Sequence, residues 1–299
     1  TLVFTDTFQT FCMFAALLLI IWQVNSALHY SLSDSLRAIA ADEHSRIFVW
    51  DDFMSRQNFW KQFLSGIFVV VVMTGLDQDM MQKNLTCKGL REAQKDMCSY
   101  GLAFFPANLL FLALGVLLMQ LAAQQGSPLP ALTDDLLPLF AASGRLGTAV
   151  VVFFTIGIVA ASFSSADSAL TALTTTWCVD IVERPHDERL RRRTHVLMAV
   201  AFAAMILIFN AVNTTSVIDA IYTLCSYTYG PLLGLFAFAL FTRYRVRGRW
   251  VPWVCIISPV ICWAVSLLTQ QTTGYEMGYE RLMLNGALTF VGLFIFRAR

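Results

Sequence analysis

Long apolar runs separated by short polar connections dominate the chain, and the runs are long enough to cross a membrane. An α-helix needs about 20 residues to span a bilayer. By that measure the pattern contains eight candidate spans, at residues 2–27, 62–82, 98–122, 146–180, 194–212, 217–242, 250–269 and 281–297. It predicts an all-α, polytopic transmembrane helix bundle. The fourth run is longer than one crossing requires, which predicts tilt or an extension around Trp177 to Val182. Two connections are long, 28–61 and 123–145. The first has enough helix-forming and aromatic residues for a short interfacial helix, and QQGSPLPALTDDLLPLF predicts another.

Composition narrows the class further. The chain is 57% hydrophobic and 14% charged, where soluble domains carry about a quarter charged residues, and its mean hydropathy is +0.62. This is the profile of an integral membrane protein whose first partner is the lipid bilayer. A net charge of +1 argues against nucleic acid as a partner. The seven cysteines lie mostly in apolar runs and read as small buried hydrophobes, and the four histidines show no metal-ligand spacing. Of the 21 Lys and Arg, fifteen follow even-numbered spans and six lie on the other side. That asymmetry predicts a multi-pass protein of the cell membrane with its C-terminus in the cytoplasm.

Polar residues inside the apolar runs carry the candidate chemistry. Residues 161–180, ASFSSADSALTALTTTWCVD, place Asp167 beside Ser164, Ser165, Ser168, Thr171 and Thr174 within the fourth span. An ionisable side chain at bilayer depth costs from about 3 kcal/mol on insertion scales to about 10 or more in simulations. An oxygen-only set of this kind suits hard cations such as sodium and does not suit metals that seek thiolate or imidazole. The first span carries a second carboxylate, Asp6, among Thr5, Thr7 and Gln9. In the second, LSGIFVVVVMTGLDQDMMQKN, Thr74 and Gly75 interrupt the apolar run ahead of Asp77, Gln78 and Asp79. This predicts a helix that breaks near Gly75, as membrane-embedded helices do where transporters bind ions and solutes. The plainer alternative is a continuous helix in which Gly75 allows close packing.

Four segments, VFTDTFQ, GLDQDMMQKNLTCKGLREAQKDM, SSADSALTALTTTWCVDI and SYTYGPLLGLF, together resemble the sodium/solute symporter family in order and spacing, across essentially the whole chain. The resemblance implies the inverted-repeat, LeuT-like fold built from two five-helix repeats. On that register 1–27 is the last helix of repeat one, 62–242 is repeat two, and 250–299 holds peripheral helices. Thr1 is no initiator, and the chain begins inside an apolar run. It therefore reads as one transporter domain, N-terminally incomplete, that starts in the fifth core helix.

Carried over residue by residue, the resemblance implies a co-transported Na+ held by the carbonyl of Ala161 and the hydroxyls of Ser164 and Ser165. A further sodium in some members corresponds to Asp6 and Ser168. Asp167 stands where such members can have serine. Its alternatives are a direct ligand, a ligand through water, or a partner for another helix. Where sugar-carrying members have polar and aromatic residues, this chain has Val70, Met73 and Thr74, which argues against a sugar and leaves a smaller or more apolar solute, a carboxylate or an amino acid as the alternatives. Gly75, Asp77 and Gln78 fall at the helix break, and Tyr227 falls on the tenth core helix near an outer gate. The implied function is sodium-coupled symport of a small organic solute by alternating access, and the protein is not an enzyme. Two alternatives stand beside it: a proton-coupled symporter in which Asp6 and Asp167 titrate, and a transporter-like solute sensor.

Overall fold

In a computed structural model, residues 2–184, 186–212 and 216–298 are described, with side chains for all of these except 2–6, 78, 79, 82, 83 and 298. The chain folds into helices α1 (Leu2–Leu28), α2 (Leu32–Ala41), α3 (Phe59–Gly75), α4 (Gln78–Leu85), α5 (Leu90–Gln124), α6 (Leu136–Ala142), α7 (Thr148–Thr175), α8 (Glu188–Val212), α9 (Val217–Phe241), α10 (Val251–Thr273) and α11 (Arg281–Ile295). A two-residue antiparallel pair joins β1 (Arg245–Val246) to β2 (Arg297–Ala298), a feature the apolar pattern does not reveal.

Among the described residues, six helices are long and apolar enough to cross a membrane, by length and composition. Two of the eight expected spans are shorter, α3 with 17 residues and α11 with 15. At 1.5 Å per residue both fall short of a hydrocarbon core about 30 Å thick, so six crossings are what length and hydropathy establish. The chain is an all-α membrane bundle. The two long connections fold locally: 28–61 yields α2, and 123–145 yields α6. The long fourth run continues past α7 as a π-helical stretch over Thr176–Ile181.

Contacts divide the chain into two compact units, and the chain passes between them three times, after Ser45, inside α4 and after Ser216. In the first, α1 packs against α5 and α7. Leu17, Ile20, Val24 and Leu28 recur every three to four residues and form one buried stripe on α1, which meets Leu114, Leu117, Leu118 and Leu121 of α5 and Phe140 of α6. This core occupies the C-terminal part of α1 and of α5 and the N-terminal part of α7. Earlier on α5, Leu102, Phe104, Phe105 and Leu112 are exposed.

In the second unit, α9 and α11 form the main seam, and α10 and α3 pack against it. Gly230 and Gly234 lie four residues apart, the small-xxx-small spacing that lets membrane helices approach closely. A Cβ on Gly230 would clash with the Asn285 side chain, and one on Gly234 would lie 2.6 Å from the Gly286 carbonyl oxygen. Pro231 sits inside α9 and has no N–H for the carbonyl of Tyr227, four residues earlier. Nδ2 of the fully buried Asn285 donates to that carbonyl at 2.9 Å and to the Ser226 carbonyl at 3.1 Å. Ser258 of α10 and Thr289 of α11 add a buried hydroxyl pair at 2.7 Å.

Candidate functional site

The sequence-derived residues fall into two groups, one in each unit. In the first unit the pairing of α1 with α7 sets the geometry. A Cβ on Gly157 would lie 3.5 Å from the Met13 backbone, and one on Gly147 would lie 3.9 Å from the Gln23 side chain. The two contacts are ten residues apart on each helix and run in opposite directions, so the helices are antiparallel. Seven residues further along that register, Asp6 of α1 stands level with Ser164 of α7. The side chain of Asp6 lies outside the described residues.

On α7 the contact stripe runs through Val150 and Gly157, both buried, and continues at three- and four-residue steps through Ala161, Ser164 and Ser168, all half-buried. Ser165 and Asp167 lie off this stripe and are exposed. The candidate set is thus split between two faces of one helix, just where the apolar core ends. Spacing alone predicted a single cluster, because side chains one to four positions apart look adjacent until the packing face is known.

The hydroxyls also differ in their bonding. Ser162 Oγ donates to the carbonyl of Ile158 at 2.9 Å, and buried Thr174 donates to that of Leu170 at 2.7 Å. Ser164 has a polar partner of its own. Among the described residues no hydrogen bond or ion pair engages Ser165, Asp167 or Ser168. Nor does any group of three or more His, Cys, Asp or Glu assemble among the described residues. The oxygen donors of α7 can take a hard cation through hydroxyls, a carboxylate and the Ala161 carbonyl. They offer nothing to a thiophilic metal.

In the second unit, α3 ends at Gly75 and α4 begins at Gln78, which places a break where the sequence suggested one. Asp77 caps the new helix: Oδ1 accepts from the Met80 N–H at 3.2 Å, and its carbonyl accepts from Met81 at 3.1 Å. Its other oxygen, Oδ2, accepts from the Tyr229 hydroxyl of α9 at 3.4 Å. Asp77 is therefore a structural joint that satisfies the orphan donors of a helix start. Met73 packs with Tyr222, Cys225 and Tyr229 and leaves no water-sized space. Thr74 is half-buried and Gly75 is exposed. The side chain of Gln78 lies outside the described residues.

Tyr227 lies beneath Arg281, whose guanidinium carbon stands 5.9 Å from the ring centroid and whose Nη1 donates to the phenol oxygen at 3.4 Å. These two residues, with Trp263, Gln270 and Glu276, line a polar cleft of about 230 Å³. Sequence reading missed Arg281, which it counted only as a charge on one side. It also missed Asn285, although an asparagine in an apolar run opposite a helical proline is a readable signal. In the 274–280 connection, Tyr279 donates to Asp219 at 2.6 Å, and Tyr275 donates to Glu280. Burial first, and then these carboxylate partners, push both phenols above their ordinary range.

No protein-family model matches the chain, and no curated protein matches it. The functional reading therefore rests on the chemistry of these two groups of residues.

Proposed function

We propose that this protein is a sodium-coupled secondary active symporter that moves a small organic solute across a membrane by alternating access. One observation carries the reading. Within a helix apolar enough to cross a bilayer, Ser165, Asp167 and Ser168 have no protein partner among the described residues and stand about level with the Asp6 position of α1. An intramembrane carboxylate is costly unless it is paired, and a cation drawn from solution is a partner that need not be built into the fold. In this reading the Ala161 carbonyl and the Ser164 and Ser165 hydroxyls hold one sodium. Asp6 and Ser168 hold a second, with Asp167 acting directly or through water.

The capped break between α3 and α4 supports the same reading, since discontinuous helices supply sites in such transporters. The full proposal has eight crossings in the inverted-repeat arrangement, with α3 and α11 as short spans and Met73, Thr74, Gln78 and Tyr227 near the solute path. Sodium binding favours the form that accepts solute, and its release on the other side favours the return. Each charge moved through ~100 mV contributes about 2.3 kcal/mol, enough for one sodium to drive useful accumulation. A second reading has one observation of its own. Asp167 is exposed and unpartnered among the described residues, so a proton is the alternative coupling ion.

Uptake of a solute panel into proteoliposomes under imposed gradients separates the two. Sodium-driven uptake that is lost in Ser165→Ala and Asp6→Asn is the expected result. Uptake that follows the proton gradient and ignores sodium would overturn the sodium reading.

A further inference from the structure

A cleft of about 540 Å³ in the first unit lies beyond the proposed ion residues, between the end of α7 and the start of α8. Three hydroxyl residues of α7 line one wall, Thr171, Thr174 and Thr175, and Arg191, Arg192 and His195 of α8 line the other. Among the described residues no carboxylate comes within 4 Å of either guanidinium. Thr174 gives its proton to the Leu170 carbonyl, so the 3.2 Å contact with His195 Nδ1 is one in which the imidazole donates. That bond fixes the ring and leaves Nε2 as its other polar atom. Glu188 also lines the cleft; it lies three and four residues before the two arginines, and its single charge reduces theirs without cancelling it.

The cleft adjoins an uncovered apolar face of α8. None of the most apolar stretch of α8 is buried by protein, and Val196, Leu197 and Val200, directly after the basic turn, are 58, 62 and 62% exposed. Guanidinium groups bind phosphate oxygens through paired hydrogen bonds, and basic pockets between membrane helices suit anionic lipid headgroups. A free anion would use the polar walls only, whereas a phospholipid would also cover the apolar face below them.

We propose that the cleft between α7 and α8 binds the phosphate headgroup of an anionic phospholipid, whose acyl chains lie along α8. The site adjoins the helix that carries the proposed ion residues, yet the assignment does not depend on transport and is tested without it.

The purified protein in detergent is titrated with dioctanoyl phosphatidylglycerol, dioctanoyl phosphatidylcholine or inorganic phosphate, and binding is followed by native mass spectrometry and thermal unfolding. Phosphatidylglycerol should bind at least tenfold more tightly than phosphatidylcholine. R191Q/R192Q should weaken it tenfold or more. R189Q/R193Q removes the same charge from neighbouring positions outside the cleft lining and should change it less than twofold. Equal losses in the two double variants would show general surface charge and overturn the site. Displacement of the lipid by equimolar phosphate would assign the cleft to a free anion instead. Where R191Q/R192Q does not fold, Thr175→Val serves: a several-fold loss supports the cleft, and unchanged binding overturns it.

Discussion

The α9/α11 seam and the α1/α7 pair are both helix contacts made through glycine, and they treat polar groups in opposite ways. Along the seam, close approach is enforced at Gly230, Gly234 and Gly286 in succession. Polar groups caught there bond across helices: Nδ2 of Asn285 serves two carbonyls, while its Oδ1 has no hydrogen bond among the described residues, and Ser258 meets Thr289. Along α1/α7 the backbones come close at Gly157, and beyond it the contact stripe becomes hydroxyl-bearing. Ser168 on that stripe, and Ser165 and Asp167 beside it, have no hydrogen bond or ion pair among the described residues. The first arrangement uses polarity to lock a structure in a medium where apolar contact gives little preference between helices. The second holds polarity in reserve, which is what a binding surface requires.

The comparison breaks most visibly at Gly234. Gly234→Val places Cβ 2.5 Å from Thr289 Cβ and 2.6 Å from a backbone oxygen, so the seam must open. A loss of about 3 kcal/mol is expected in detergent unfolding followed by tryptophan fluorescence. Gly115→Ala, where nothing lies within 4 Å, should instead stabilise by about 0.5–1 kcal/mol.

Asn285→Leu comes next. It strands the Tyr227 carbonyl that Pro231 cannot serve, at a cost of about 2 kcal/mol. Restoring the N–H with Pro231→Ala in that background should recover most of the loss. Independent, additive effects in this double-mutant cycle would refute the pairing.

Ser165→Ala probes the other pair and should leave stability in choline chloride nearly unchanged. In sodium chloride it should abolish a stabilisation that reaches about 2.7 kcal/mol for wild type at a hundred times the dissociation constant. Equal sodium shifts in wild type and variant would remove Ser165 from the ion site.

The smallest effect concerns α2, which begins with a capping box between Ser31 and Asp34. The Ser31 hydroxyl and backbone hold the Asp34 carboxyl below its ordinary 3.8. A depressed carboxylate stabilises above the unfolded value and loses that contribution as pH falls through the folded one. Fraying of α2, read by amide hydrogen exchange, should therefore set in only below about pH 3.8. Asp34→Ala should show it at neutral pH.

The helices themselves were legible because the bilayer imposes a length and a composition on any span. The break at Gly75 was legible too, since a glycine followed by a cluster of acids and an amide interrupts an apolar run and supplies a cap. What α7 does with its hydroxyls was less so. Ser164 and Ser165 are adjacent in sequence, yet one sits on the packed stripe and the other off it, and only the partner helix decides which. The second expected span, 62–82, ran on through the polar turn at Asp77 into what is a separate helix, α4, and the eighth, 281–297, exceeded α11 by two residues. Arg281 was hidden by its charge: counted as a topology signal, it in fact folds back over Tyr227.

Pro231 leaves α9 one hydrogen bond short, and the replacement donor belongs to a different helix. The stiffness of that turn is therefore not a property of α9 at all. While α11 keeps its seat, α9 transmits a push along its length like a rod. If α11 slips by a single residue, Asn285 no longer reaches the Tyr227 carbonyl and the rod acquires an elbow.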